Sequence, residues 1–341
     1  MIVSLVIPVL NEIKYIHKIL QCIQSQTYPH SLIEVIFSDG GSTDGTLQVI
    51  ENFKSENKEA YHNILLLNNI KKKQAAGVNL GFENANGKIL CRVDAHSIIP
   101  KDYVENVVST LSQKEKLACG GAYKQVIDKE NMMGNLFLLL ESSTFGSGIA
   151  SFRGEVDSPK EVSSIMNICL KKDTFEEVGK FNEKLGRSED NEFSYRLRTK
   201  GYKIILNPKM NGEYYVRSSF RQNLKQKYNN GRWIGITTRL ITYKMFSKYH
   251  FVPFLFFISL IGFGLLAAIA TPLTNTIWFI APITLEVAMY FIAMYLNVFL
   301  TSIVQKKFNI LFFFAPFLLF LIHFSYGMGT LHGFLTYKKY R

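Results

Sequence analysis

Three long apolar stretches toward the carboxyl end constrain this chain more than any other feature. Phe251–Leu273 carries no charge over 23 residues, Ile277–Leu300 is interrupted only by Glu286, and Ile310–Leu335 has His323 and His332 as its only ionisable groups. About 20 apolar residues are enough to cross the hydrocarbon core of a bilayer as a helix. The Pro and Gly residues inside them (Pro253, Gly262, Pro282, Pro316, Gly327) are of kinds that membrane helices tolerate. The expectation is an integral membrane protein with residues 250–337 as its transmembrane region.

The formal charge of +12 is unevenly spread. Residues 1–197 hold 22 Lys/Arg against 25 Asp/Glu, residues 198–248 hold 12 against 1, and residues 249–341 hold 5 against 1. An acidic-to-neutral part, a basic belt and a nearly uncharged tail do not describe a nucleic-acid binder, which carries its basic charge on a recognition surface. Within the belt, Phe220, Leu224, Tyr228, Trp233, Ile236, Leu240 and Tyr243 recur at helical steps, with Lys225, Lys227, Arg232, Arg239 and Lys244 between them. This predicts one or two amphipathic helices over 216–249 at a membrane surface, with cations toward anionic headgroups. The alternative is helices packed on the soluble part with a charged outer face.

Met1–Leu10 is apolar but lacks a basic lead-in and runs into Asn11-Glu12, so it does not read as a signal peptide. Residues 1–250 are therefore expected in the cytoplasm. Cys22, Cys91, Cys119 and Cys169 are scattered, with no CxxC pair, which argues against structural disulfides and a zinc site.

The first hundred residues alternate in period. Short β-rich runs at Ile2–Val9, Glu34–Ser38, Ile64–Leu67 and Ile89–Val93 are separated by helical spacing over Glu12–Gln26, Gly45–Lys54 and Ala75–Ala85. Strands alternating with helices predict an α/β fold with a mostly parallel sheet over a domain spanning 1–215. Ligands of such sheets sit beyond the carboxyl ends of the strands. Polar residues collect there: Asn11 and Glu12 after the first strand, Asp39 after the second, Asp94 and His96 after the fourth.

No GxGxxG follows the first strand and no GxxxxGK[ST] occurs, so dinucleotide and P-loop fingerprints are absent. The Asp39–Thr46 stretch reads as a Gly-rich turn with capping residues. Asp94-Ala95-His96 puts a carboxylate and an imidazole two residues apart, on one side of extended backbone. Such a pair can hold one divalent cation, which as a Lewis acid neutralises a diphosphate leaving group. His96 can equally serve as a turn residue.

Ile7-Pro8-Val9-Leu10-Asn11-Glu12, the Asp39–Thr46 turn, Asp94-Ala95-His96 and Glu189-Asp190 together resemble family 2 glycosyltransferases of the GT-A fold. A closer resemblance, to succinoglycan-type glucosyltransferases of bacterial exopolysaccharide assembly, rests on Val93–Ser97, Gly146-Ser147-Gly148 with Arg153, Gly186–Glu192, Arg217-Ser218-Ser219 and Tyr228–Trp233. It implies inverting transfer of a sugar from a UDP-sugar to a lipid-linked acceptor, a polyprenyl diphosphate saccharide, with Mn²⁺ or Mg²⁺ as cofactor.

By that resemblance Pro8, Asn11 and Glu12 match the loop around the nucleotide base, Asp39 the aspartate that recognises uracil, and Asn79 a helix facing the donor. The family often has a second Asp where this chain has Gly40. Lys71–Lys73 precede that helix, where a diphosphate would pass or a loop would simply be solvated. Asp94 and His96 match the metal motif, with His in place of its last Asp. Glu189-Asp190 matches the acidic pair that carries the general base, with Asp190 as the base; Glu192 reads as an ordinary helix N-terminal acid. Arg232 and Trp233 match the end of QxxRW, whose Gln is missing here. That departure argues against processive polysaccharide synthesis. Alternatives are transfer to a polyprenyl phosphate itself, or a non-catalytic sugar-binding or export subunit. Three full crossings would put Lys338-Lys339 outside, against the positive-inside rule; a last segment bent near Gly327-Met328-Gly329 would return it.

Overall fold

The computed structural model describes residues 1–113, 115–127, 131–148, 156–215 and 219–341. Arg153, Arg217 and Ser218, part of the expected motif set, lie outside them. The chain forms two compact units, one of residues 1–125 with 151–215 and one of residues 126–150 with 216–341.

The first unit begins β1 (Val3–Val9), α1 (Ile16–Gln24), β2 (Ile33–Asp39), α2 (Thr46–Asn57), β3 (Asn63–Asn68), α3 (Gln74–Asn84) and β4 (Ile89–Arg92). These are the seven elements the periodicity predicts, each within a few residues. After them come β5 (Ser97–Ile98), α4 (Tyr103–Ser112), β6 (Leu117–Gly120) and β7 (Tyr123–Val126), the last running one residue past the boundary between units. The second unit then contributes α5 (Met132–Ser142). The first resumes with β8 (Lys160–Glu161), β9 (Cys169–Lys171), α6 (Lys172–Val178), α7 (Glu189–Thr199), β10 (Lys203–Leu206) and β11 (Gly212–Tyr215).

The main sheet has the order β3-β2-β1-β4-β9-β6-β10-β8. Its first four strands, β6 and β10 all run the same way, while β9 and the edge strand β8 run against them, so the sheet is mostly parallel, as expected, with two reversed strands. A second small sheet is ordered β5-β11-β7. Side chains alternate along β1: Val3, Leu5, Ile7 and Val9 face one core with Ile16, Ile19, Ile23, Ile50 and Val107, while Val6 faces the other with Val78, Phe82, Phe175 and Phe193. The period of 2 in the strands thus makes a three-layer sandwich, with α1, α2 and α4 on one face and α3, α6 and α7 on the other.

The layer under α3 is thin because of a glycine. A Cβ at Gly81 would lie 2.2 Å from Cγ1 of Val6, which is fully buried in β1. Alanine is the better helix former by about 1 kcal/mol, but here it overfills the interface.

The second unit adds α8 (Phe220–Leu240), α9 (Val252–Thr274), α10 (Ala281–Gln305) and α11 (Ala315–Thr336) to α5. With their flanking turns, α9, α10 and α11 form three helices long and apolar enough to cross a membrane. Leu136, Phe137, Leu139 and Leu140 of α5 pack with Met294, Val298, Phe312, Ala315 and Leu319 around α10 and α11. The apolar content of α5 was visible in the sequence, but its partners are more than 150 residues away.

One side of α8 is made for close approach. Cβ atoms at Gly231 and Gly235 would fall 2.0 and 2.3 Å from the carbonyl oxygens of Tyr326 and Thr330. In return, Gly329 and Gly333 meet the carbonyl oxygens of Tyr228 and Arg232 at 2.1 Å. Two glycines four apart on each helix let the backbones touch, as small-residue pairs do in membrane helices. The two helices run parallel, from Leu224 beside Ser325 to Arg239 over the Tyr337 ring. The buried residues of α8 are Asn223, Lys227, Gly231, Ile234, Gly235, Ile236 and Thr237. Of the expected apolar stripe only Ile236 is among them, because glycine spacing carries no hydrophobic signal. Lys227 and Asn223 are buried with Glu141, which accepts from both at 3.0 and 2.6 Å.

The α9 and α10 helices lie antiparallel: Ser259 donates to Glu286, and Phe256 stacks on Tyr290 at 4.5 Å. By contrast, Phe320, Phe324, Gly327 and Phe334 of α11 meet α9 at Pro253, Phe254, Phe256 and Phe257. These contacts fall within residues 320–334 of α11 and 253–257 of α9.

Gly81→Ala should lower stability by about 1–2 kcal/mol, the cost of overpacking less the gain in helix propensity. A thermal melt of the variant at or above the wild-type temperature would contradict this packing.

Candidate active site

The carboxyl ends of β1 and β2 stand side by side, with Val9 opposite Asp39 and the Gly40 amide donating to the Val9 carbonyl at 2.9 Å. Pro8 fits in β1 because Val6, two residues earlier, already ends the pairing with β4, and the missing N–H faces that side. Beyond the strands the two loops are interlocked. Asn11, in the left-handed region at φ 56°, donates its amide to Ser42 Oγ at 2.9 Å and accepts from the Thr43 amide at 2.9 Å. The Glu12 amide donates to Thr46 Oγ1, and the Ile13 amide to Asp44. Asp44, which also accepts from the Thr46 hydroxyl, is held below the usual carboxylate range chiefly by that hydrogen bond.

Asp39, 4% exposed, turns its carboxylate into this loop. It accepts from the Gly41 amide at 2.7 Å, the Ser42 amide at 3.0 Å and the Ser42 hydroxyl at 2.6 Å. The Glu12 carboxylate pairs with His96 Nδ1 at 3.1 Å. His96 also meets the Tyr214 ring edge-on at 4.9 Å, and Tyr15 stacks on Tyr215 at 5.2 Å. Residues from the first, second and fourth strand ends are therefore brought together.

Asp94 follows β4 and is buried. Its Oδ1 accepts from Arg92 Nε and Gln74 Nε2, both at 3.1 Å. Burial pushes its carboxyl up, but the Arg92 guanidinium and then His96 pull it down, to below the usual range. Arg92 Nη1 reaches across to Oδ1 of Asp190. Asp190 opens α7 beside Glu189, which is 7% exposed. Burial disfavours a charged guanidinium, yet Asp190, Asp94 and Glu189 hold Arg92 firmly protonated. Removing one partner from such a buried pair costs about 3–5 kcal/mol. For Asp190, burial outweighs the pull of Arg92 and leaves the carboxyl well above the usual range. Glu192 instead forms a two-point pair with Arg196 at 2.7 and 2.9 Å. Arg196 also donates to the carbonyls of Val178 and Lys180, so Glu192 is a structural acid.

Asn79, 1% exposed, is committed to backbone. It accepts from the Phe181 amide and donates to the Phe181 carbonyl and to Glu183, at 2.8–3.0 Å. Glu183 also takes Lys71 Nζ at 2.5 Å, and its carbonyl takes Lys73 Nζ at 2.8 Å. These residues tie α3 to the segment leading into α7. Arg232 and Trp233 belong to the second unit, where Tyr340 accepts from Arg232 at 2.6 Å and its ring meets Trp233 edge-on.

Arg92 was missed in the sequence. Its signal was a lone arginine ending a buried apolar strand, two residues before Asp94 and on the same side by the strand's period. Among the described residues no three His, Cys, Asp or Glu side chains gather to cage a metal. Asp94 would supply an oxygen, the donor that Mn²⁺ and Mg²⁺ favour, and His96 a nitrogen, which Mg²⁺ does not favour, with phosphate oxygens to complete the shell.

Two family models match: Glycosyl transferase family 2 over residues 4–156, and Glycosyl transferase family group 2 over residues 89–331. The chain is 28% identical over 345 residues, covering 98% of it and 99% of the relative, to the dolichyl N-acetyl-alpha-D-glucosaminyl phosphate 3-beta-D-2,3-diacetamido-2,3-dideoxy-beta-D-glucuronosyltransferase of Methanococcus voltae. It is 29% identical to the succinoglycan biosynthesis protein ExoA of Rhizobium meliloti, over 67% of each chain. A mannosyltransferase of Pyrobaculum calidifontis, solved in complex with GDP-Man and Mn²⁺, superposes with a TM-score of 0.60 at 16% identity, covering 96% of this chain and 86% of its own. The likeness in structure supports the fold, and the family models extend over most of the chain: it is a GT-A glycosyltransferase enzyme belonging to family 2.

Proposed function

We propose that this enzyme is anchored in a membrane and moves a sugar, with inversion, from a UDP-sugar to a lipid-linked acceptor. The observation that carries this reading is Asp94 and Asp190 held on one buried guanidinium beside the interlocked loops of β1 and β2. Pro8, Asn11, Glu12 and Asp39 shape the nucleotide pocket. Asp39 braces the loop through Gly41 and Ser42 and reads uracil with its remaining lone pair. Asn79 acts through the segment it fixes. The lipid-linked acceptor is supported by the three apolar helices and by the name of the Methanococcus relative.

In transfer, an acceptor hydroxyl gives its proton to the Asp190 carboxylate while its oxygen bonds the anomeric carbon. The bond from that carbon to the diphosphate oxygen breaks on the opposite face, and the nucleoside diphosphate departs. One carboxylate suffices for this displacement, unlike the pair that glycoside hydrolysis needs. The raised proton affinity of Asp190 suits a base, and Glu189 orients the acceptor. Asp94 and His96 would hold a divalent cation, Mn²⁺ or Mg²⁺, which offsets the leaving group's charge. The structure of the Pyrobaculum enzyme in complex with GDP-Man and Mn²⁺ is in keeping with this.

For topology, we propose that α9 and α10 cross the bilayer while α11, which lies parallel to and against the basic α8, returns residues 337–341 to the cytoplasmic side with the catalytic unit. Arg232 and Trp233 then lie with the basic belt at the headgroups.

Isolated membranes given labelled UDP- and GDP-sugars should form lipid-linked product from a UDP-sugar. Asp190→Asn should cut that transfer by about 10²–10⁴-fold with UDP affinity nearly unchanged. Product formed at wild-type rate by the Asn variant, or formed from GDP-sugars alone, would defeat the assignment of base or donor respectively.

Chelator should abolish transfer, and His96→Ala should raise the Mn²⁺ concentration needed for half-maximal rate while leaving metal-free UDP binding intact. Full activity in chelator would end the metal reading.

In intact cells, a cysteine replacing Asn275 should react with an impermeant thiol reagent and one replacing Lys339 should not. Labelling at 339 would sink the returning tail.

A further inference from the structure

Arg92 is the last residue of β4, with only 2% of its side chain exposed, and is among the largest side chains buried completely. Such a group does not touch substrate. Its two hydrogen-bonded carboxylates among the described residues are of different kinds. Asp94 is two residues along the same chain segment, whereas Asp190 is 98 residues away, at the start of α7. The guanidinium is thus the physical link between the strand end at the diphosphate side and the helix start at the acceptor side.

We propose that Arg92 is a positioning residue for sugar transfer: it fixes Asp190 at a set distance from Asp94, so that the base meets the acceptor hydroxyl where the donor is held. This rests on the reading of Asp190 as the base. The geometry favours it in two ways. A guanidinium is a rigid planar fork that can hold two carboxylates at a fixed angle, whereas an ammonium is a point charge on a flexible stem. In addition, Arg92 engages only Oδ1 of Asp190. No hydrogen bond reaches Oδ2 among the described residues, and the side chain keeps 20% exposure. One oxygen is anchored and the other is left to the acceptor.

A residue that only neutralised buried acids would affect stability and donor binding, and its effect would not depend on whether Asp190 can act as a base. The test is a double-mutant cycle on the full-length enzyme in detergent, with Arg92→Lys, Asp190→Asn and the pair. Turnover, KM for donor and acceptor, and UDP affinity by calorimetry are measured for each. Arg92→Lys keeps the charge and loses the fork, so turnover should fall about 10–100-fold, the scale of a misplaced catalytic group. UDP affinity should stay within about threefold, and in the Asp190→Asn background the further loss should shrink to less than about threefold. Should Arg92→Lys fail to fold, Arg92→Gln, whose amide keeps the donor to Asp94 but stops short of Asp190, is read through the same cycle. Equal losses in both backgrounds, or a loss confined to donor KM, would overturn the positioning role while leaving Asp190 as the base. An Asp190→Asn enzyme with wild-type turnover would instead remove the base assignment, and the positioning role with it.

Discussion

Two parallel strands, each buried along almost its whole length, end in register, with Val9 beside Asp39. Because the strands point the same way, their loops leave the sheet from the same edge and must satisfy one another's amides there. The chain does this with short polar side chains. Asn11, Ser42, Asp44 and Thr46 accept or donate across the gap, and a left-handed turn at Asn11 brings its amide round. The Glu12 amide is half-buried and the Asn11, Ile13 and Thr43 amides are exposed, so each bond contributes modestly and it is their number that locks the loops together. The loop pair is therefore set as a unit, and Glu12 and His96 are placed as a result of it.

The other half of the site depends on charge. Three paired groups lie near the end of β4: Arg92, Asp94 and Asp190. Burial acts against each charged form, and their mutual pairing opposes it. The outcome is divided: Asp94 is held as a carboxylate, while Asp190 keeps a raised affinity for protons. Two carboxyls on one guanidinium thus acquire opposite tendencies, the pattern by which acid–base roles are separated in active sites.

Much of this was legible beforehand. The alternation of β-rich and helical spacing located seven elements, because each strand and helix in that half buries a face that repeats with its own period. The strand-end residues were found for the same reason. What escaped depends on distance in sequence. Strands of two to four residues such as β5, β8 and β9 have too few positions to show a period, so the two reversed strands of a mostly parallel sheet were hidden. Asn79 is expected by resemblance on a helix facing the donor, and Lys71–Lys73 facing a diphosphate or solvent; their engagement with Phe181 and Glu183 is a pairing across more than 100 residues. Arg92 carried a signal only to a reader asking why an apolar strand should end in a cation.

The glycine seam between α8 and α11 has a consequence for how the second unit is made. About 75 residues separate the two helices, and α9 and α10 are synthesised between them. Until Gly329 and Gly333 emerge, Gly231 and Gly235 have no backbone to lie against, and α8 is a polar helix with two of its poorest helix formers in the middle. Its order is supplied from outside and late. Assembly of this unit is thus gated by the arrival of α11 rather than by the insertion of the first apolar helix, and the long loop closed by that pairing makes it a slow, non-local step.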